Sequence, residues 1–124
     1  MREILFRGKR KDIGKWINGF LVDENLIGDW VEAEPVYPET VGQFTGLTDK
    51  NGTRIYEGDV VLYPWNYQDK TERFTIKFKD GQFVASPIKK TEDYWDFMVG
   101  GYSKEMEIIG SIHDNPELLE VHND

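Results

Sequence analysis

The sequence predicts a mainly β, β-rich α+β fold: a short-stranded sheet or small barrel-like domain with one or two short helices, the last a C-terminal helical turn. Three observations point there. Apolar residues alternate with polar ones on either side of Asp80-Gly81, the pattern of a half-buried hairpin. A tight Glu57-Gly58 turn launches the β-branched pair Val60-Val61. Four Trp, six Tyr and seven Phe supply a core without staples, so the negative mean hydropathy does not signal disorder. At 124 residues the chain reads as a single domain, 1–124, with N-terminal strands and an irregular segment over 1–39 and a β-rich core over 40–124.

Taken in order, Glu3 to Arg7 forms a short strand with Ile4 and Phe6 on one face, and residues 8–15 form a polar turn. Trp16 to Val22 is a second strand, in which Gly19 marks a bulge or bend. Residues 23–39, with Pro35 and Pro38 around apolar residues such as Trp30 and Val31, are irregular with short strands. Thr40 to Leu47 is strand-like and leads into Asp49-Lys50-Asn51-Gly52, a turn in which Asn51 and Gly52 take positive φ cheaply. Gly58 supplies an unusual backbone angle before Asp59, whose carboxylate accepts a hydrogen bond from the turn.

Arg73–Lys79 and Gln82–Ser86 are the clearest hairpin. A two-residue Asp80-Gly81 loop pairs Lys79 with Gln82, Phe78 with Phe83 and Ile76 with Ala85. That register places Phe74, Ile76, Phe78, Phe83 and Ala85 on one buried face. Thr91 to Val99 reads as a short helix, capped by Thr91, with Tyr94, Phe97 and Met98 at helical spacing. Glu105 to Ile112 is a strand with Met106, Ile108 and Ile112 on one side. Asn115 then caps one or two helical turns that open on Pro116.

Four segments, in order, resemble a known family. They are Arg2-Glu3-Ile4-Leu5-Phe6-Arg7-Gly8-Lys9, the block from Thr40 to Gly52, its continuation from Ile55 to Val61, and the block from Ile108 to Leu119. Together they resemble the YopX-like family of phage and prophage proteins. Ser111 stands where that pattern leads one to expect asparagine. The resemblance implies a largely β protein, phage- or prophage-encoded and acting in the cytoplasm of the bacterial host cell. It implies no cofactor and no catalytic residue. The glycines at 42, 46, 52, 58 and 110 in these blocks read as corners of a fold rather than as parts of a reaction.

Composition removes several function classes. Without cysteine there is no disulfide, thiolate nucleophile or cysteine-ligated metal. The charged opening lacks a signal peptide's apolar run, and no stretch approaches the roughly 18 apolar residues of a membrane span. Asp49 and Asn51 start like a calcium loop, but Gly52 comes too early and Val60 stands in the place of the closing glutamate. Asp49, Glu57, Asp59 and Asp80 converging on magnesium is the weakest reading, behind that of solvated turn carboxylates. Ser111 and His113 share a strand face, yet such neighbours lie about 7 Å apart, too far for an activating hydrogen bond. His122 sits in the terminal tail. No catalytic, cofactor-binding or metal-ligating residue is therefore assigned.

Charge is unevenly spread. Residues 1–16 carry +4, so the rest of this −8 chain carries −12. Arg7, Lys9, Arg10 and Lys11, with Lys15 and Trp16 following, form a basic and aromatic patch that is the candidate partner contact. Its expected partner is an acidic surface, either another copy of the chain or an unidentified host or phage protein; nucleic acid is the alternative, disfavoured by the acidic remainder. Trp30, Trp65, Tyr67, Tyr94, Trp95 and Tyr102 fall in loop-like segments, where aromatics favour interfaces. The expected function is a non-catalytic, self-associating protein-binding module.

Overall fold

A computed structural model describes residues 4–29, 32–64, 71–92 and 94–121. Arg2 and Glu3 of the opening motif, Trp30, Val31, Trp65, Tyr67 and His122 lie outside the described residues. The fold is mainly β, as the sequence predicts. Eleven strands, where eight were expected, run in order among the described residues: β1 Phe6–Lys9, β2 Trp16–Asp23, β3 Leu26–Gly28, β4 Ala33–Pro35, β5 Gly42–Thr48, β6 Arg54–Tyr56, β7 Asp59–Pro64, β8 Thr71–Lys79, β9 Gln82–Pro87, β10 Phe97–Met98 and β11 Glu107–Ser111. Helical structure among them is limited to short 3₁₀ turns, and no helix is long and apolar enough to cross a membrane. The chain divides into two compact units, Met1–Gly46 and Leu47–Asp124.

In the first unit the sheet order is β4-β3-β2-β1-β5, antiparallel throughout. Strand β1 begins and ends later than expected, so Gly8 and Lys9 belong to it rather than to the turn. The turn is short because Arg10 N–H donates to the Lys15 carbonyl at 2.9 Å. Gly19 is not the bulge. It pairs regularly with Phe6, and the register slips instead between Leu21 and Asp23. Gly19 is needed for clearance: a Cβ there would stand 2.8 Å from the Gly28 carbonyl oxygen across the strand pair. Residues 23–39 resolve into β3, β4 and a 3₁₀ turn over Pro38–Thr40. Thr40 ties that turn to β1, accepting from Lys9 N–H at 2.8 Å while its hydroxyl donates to the Tyr37 carbonyl at 2.6 Å.

The second unit holds a sheet of order β10-β9-β8-β7-β11. Its core is one cluster of Ile55, Val61, Tyr63, Phe74, Ile76, Ala85, Val99 and Met106. The β8–β9 hairpin has the register read from the sequence, Lys79 with Gln82 through Ile76 with Ala85. Asp80 and Gly81 both take positive φ, 53° and 81°, which matches the right-handed twist of the flanking strands. One buried-face assignment fails. Phe74, Ile76 and Ala85 are buried, but Phe78 is 52% exposed, because it sits beside the hairpin tip, beyond the core. There it makes an edge contact with half-buried Phe83, ring centroids 5.1 Å apart.

Among the described residues the expected helix over Thr91–Val99 is absent. Phe97 pairs with Ala85 and Met98 with Val84, forming the edge strand β10. Burial there has a strand's period: Phe97 packs on Phe74 at 5.1 Å, Met98 is exposed and Val99 is buried. The last strand is shorter than expected, since Ser103–Glu105 forms a 3₁₀ turn ahead of β11, and its pairing with β7 slips between Ile108 and Gly110. Pro116 opens a single 3₁₀ turn through Leu119, but Asn115 does not cap it with its side chain. That side chain turns back instead, accepting from Ser111 N–H at 3.3 Å. Asn51 does not take positive φ; Gly52 alone does so in that turn, at 80°.

Candidate functional site

The β1–β2 register decides what the basic patch looks like. Lys9 lies opposite Trp16 and Arg7 opposite Asn18, so Arg7, Lys9 and Trp16 share one sheet face. The Arg7 guanidinium stands 4.4 Å from the Trp16 ring centroid, and Lys9 Nζ stands 5.4 Å from it. Two cations thus clad one half-buried indole, each attracted to its negative face. Phe20, two strand positions beyond Asn18, is on the same face and 51% exposed.

Arg10 has a different fate. Its Nε and Nη2 donate to the two Asp12 carboxylate oxygens at 3.0 and 2.7 Å, and Nη2 lies 3.3 Å from Glu34 Oε2. The hydrogen bond from Arg10 lowers the Asp12 carboxyl below its ordinary value, and the reciprocal bond raises the Arg10 guanidinium. Arg10 therefore braces the turn and the β4 side. Lys11 and Lys15 are exposed on the turn between β1 and β2. Of the five residues singled out by sequence, Arg7, Lys9 and Trp16 come together, Arg10 is engaged in ion pairs, and Lys11 stands apart on the turn.

One neighbouring feature escaped the sequence reading. Phe20, Leu21 and Val22 are three successive exposed apolar residues on an interior strand, at 51, 37 and 54%. A half-buried strand alternates in and out, so three apolar residues in a row already meant that at least one faces solvent. An open cleft of about 290 Å³ runs beside this surface, bordered by Arg10, Asn18, Phe20, Asp29, Glu32 and Glu34. Its charged groups are three carboxylates, Asp29, Glu32 and Glu34, and one guanidinium, Arg10.

The carboxylates considered for a metal have structural employment. Asp49 is buried; its Oδ1 accepts from Asn51 and Thr53 N–H at 2.9 Å each, and its Oδ2 accepts from Ile108 N–H at 3.0 Å. Asp59, also buried, accepts from Tyr56 N–H at 2.8 Å across the Gly58 turn. Asp80 is at the exposed hairpin tip. Among the described residues no group of three or more His, Asp or Glu side chains is placed to hold a metal ion. Ser111 Oγ accepts from Asp114 N–H at 3.0 Å, which closes the turn before the last 3₁₀ segment. Of the loop aromatics, Tyr94 donates to Glu72 at 2.9 Å, while Trp95 and Tyr102 are 61 and 45% exposed.

Comparison with known proteins bears on the family and the fold. The family model described as YopX protein matches residues 8–120. The SPbeta prophage-derived uncharacterized protein YopX of Bacillus subtilis (strain 168) is 28% identical over 104 residues, covering 75% of this chain and 77% of that protein. The crystal structure of protein EF1440 from Enterococcus faecalis aligns with a TM-score of 0.58 at 25% identity, over 97% of this chain and all of that one. The crystal structure of yopX from Bacillus subtilis aligns with a TM-score of 0.54 at 21% identity, over 99% of this chain and all of that one. That last likeness concerns the fold alone.

Proposed function

The chain belongs to the YopX protein family, and from that premise we propose that it is a prophage-encoded, non-catalytic binding module of the host cytoplasm that associates with a second copy of itself through the Trp16–Phe20 face. One observation carries the proposal. Cation-clad Trp16 and exposed Phe20 lie on a single face of the β1–β2 pair, and the exposed run continues through Val22. Apolar area with a basic fringe suits the acidic surface of another copy, since residues 17–124 carry −12. Strand β2 pairs with β1 over residues 16–19 and with β3 over residues 20–23, and the proposed contact runs through the side chains it exposes. Trp16 is a poor base-stacking platform in this arrangement, because two cations already occupy its surroundings.

The test is sedimentation of the native chain and of Phe20→Ser with Val22→Ser, each at low and high salt. The native chain should sediment as more than one copy and loosen as salt rises. The double variant should sediment as a folded monomer. A monomeric native chain at every salt concentration would overturn self-association. Retention of DNA or RNA that falls steeply with salt would favour the nucleic-acid reading instead.

A further inference from the structure

The second unit carries an aromatic enclosure that the Trp16 face does not involve. Tyr63, Trp95, Phe97 and Tyr102 line a cavity of about 280 Å³. Three of the rings hold one another in place. Tyr63 and Phe97 lie 4.8 Å apart at 42°, and Tyr102 meets both edge-on, at 5.9 and 5.4 Å. Tyr63 is buried at the floor and Phe97 is half-buried in β10; Tyr102 and Trp95 form the exposed wall. Among the described residues that line it, none is lysine or arginine.

The exposed carboxylate of Glu105 lies within reach of the Tyr63 phenol. Burial, then the charge of Glu105 and its hydrogen bond, raise the Tyr63 phenol above its ordinary value, so the phenol stays protonated and donates to Glu105. That bond sets an exposed negative charge beside the aromatic cluster. Ring faces are electron-rich, and a nearby anion deepens the attraction for a cation whose own hydration is weak. A strongly hydrated ion such as sodium would lose too much water on entering, whereas an alkylated ammonium would lose little.

We propose that Tyr63, Trp95, Phe97 and Tyr102 form a binding site for an alkylated ammonium group. The group comes either from a small free cation of the choline type or from a methylated lysine side chain on a polypeptide. Both present the same trimethylammonium to the rings.

The experiment titrates the whole chain with three probes at constant ionic strength, reading the Trp95 indole and the Phe97 and Tyr102 amides by NMR. The probes are choline, its uncharged isostere 3,3-dimethylbutan-1-ol, and blocked trimethyl-lysine. Choline or trimethyl-lysine should shift those signals saturably, with the uncharged alcohol about ten-fold weaker or worse. Trp95→Ala replaces an exposed residue and should keep the native spectrum elsewhere while weakening binding roughly three- to thirty-fold. Glu105→Gln should weaken the cations and leave the alcohol unchanged. Equal affinity for choline and trimethyl-lysine assigns the site to free cations; a clear preference for trimethyl-lysine assigns it to a polypeptide. Equal binding of alcohol and cation, no saturable binding of either cation, or shifts centred on Trp16 would each overturn the proposal.

Discussion

The two units spend their apolar residues differently. Among the described residues, the unit of residues 1–46 buries three apolar side chains, Ile27, Val36 and Phe44, while that of residues 47–124 buries eleven. Exposed large apolar groups are as numerous in the smaller unit as in the larger, six in each. In the larger unit most stand singly, as Phe78 does at a hairpin tip and Val121 near the C-terminus. In the smaller one Phe20, Leu21 and Val22 are consecutive. Scattered apolar exposure is ordinary and a contiguous run is not. The larger unit therefore holds most of the buried apolar core, and the smaller one is organised also by polar ties such as Thr40 to Lys9 and Arg10 to Asp12 and Glu34.

The largest test of this contrast is Phe74→Ala. Phe74 is fully buried in the eight-residue cluster and packs edge-on against Tyr63 and Phe97. Its truncation should cost about 3–5 kcal/mol, whereas Phe78→Ala at the tip should cost less than about 1 kcal/mol. Denaturant melts of the two variants measure the difference. Equal losses would mean that the hairpin tip shares the core.

Next in size is Asp49→Ala. Three backbone N–H groups converge on that one buried carboxylate and join the turn after β5 to β11. Hydrogen bonds to a charged group contribute more than neutral ones, and their loss strands buried donors, so about 2–3 kcal/mol should go. Melting without loss of stability would show that water replaces the carboxylate.

For the smaller unit the corresponding change is Gly19→Ala. The added methyl meets a backbone carbonyl that cannot rotate aside, so β2 and β3 must separate, at about 1–3 kcal/mol. Amide exchange should quicken first in β2 and β3. Faster exchange confined to β7–β9 would contradict the division of labour drawn above.

What was legible in the sequence follows from how local the governing physics is. The Asp80-Gly81 turn and its register are written in adjacent residues, and the Gly58 turn with Asp59 behind it is equally local. The basic patch was visible as composition, but the stacking of Arg7 and Lys9 on Trp16 needed the strand pairing. Misreadings fall where a competing partner, near or far in sequence, decides. Phe97 suits either a helix face or a strand, and its pairing with Ala85 chooses the strand. Asn115 is a natural cap until Ser111 N–H claims its oxygen. Nor does anything near Arg73 in sequence announce that its guanidinium donates to the Leu118 and Glu120 carbonyls, fastening the C-terminal turn to β8.

The smallest effect lies at the edge of the larger unit, and its sign distinguishes an edge contact from a core one. Burial alone would raise the Asp96 carboxyl. Hydrogen bonds from Ser86 and from Lys79, the latter at 3.1 Å, with the charges of Lys79 and Lys90, hold it below the ordinary carboxylate value. A group whose folded pKa is depressed stabilises the fold above its unfolded pKa, and that contribution is lost as pH falls through the folded value. The loss therefore begins near pH 4, the ordinary aspartate range, and completes below it. Lys79 is well exposed, so solvent screening limits the whole contribution to less than about 1 kcal/mol. Asp96→Asn should flatten that part of the acid limb and leave stability at pH 7 lower by the same small amount. An acid limb unchanged by Asp96→Asn would move the dependence to other carboxylates and leave β10 held by its pairing with β9 and the packing of Phe97 alone.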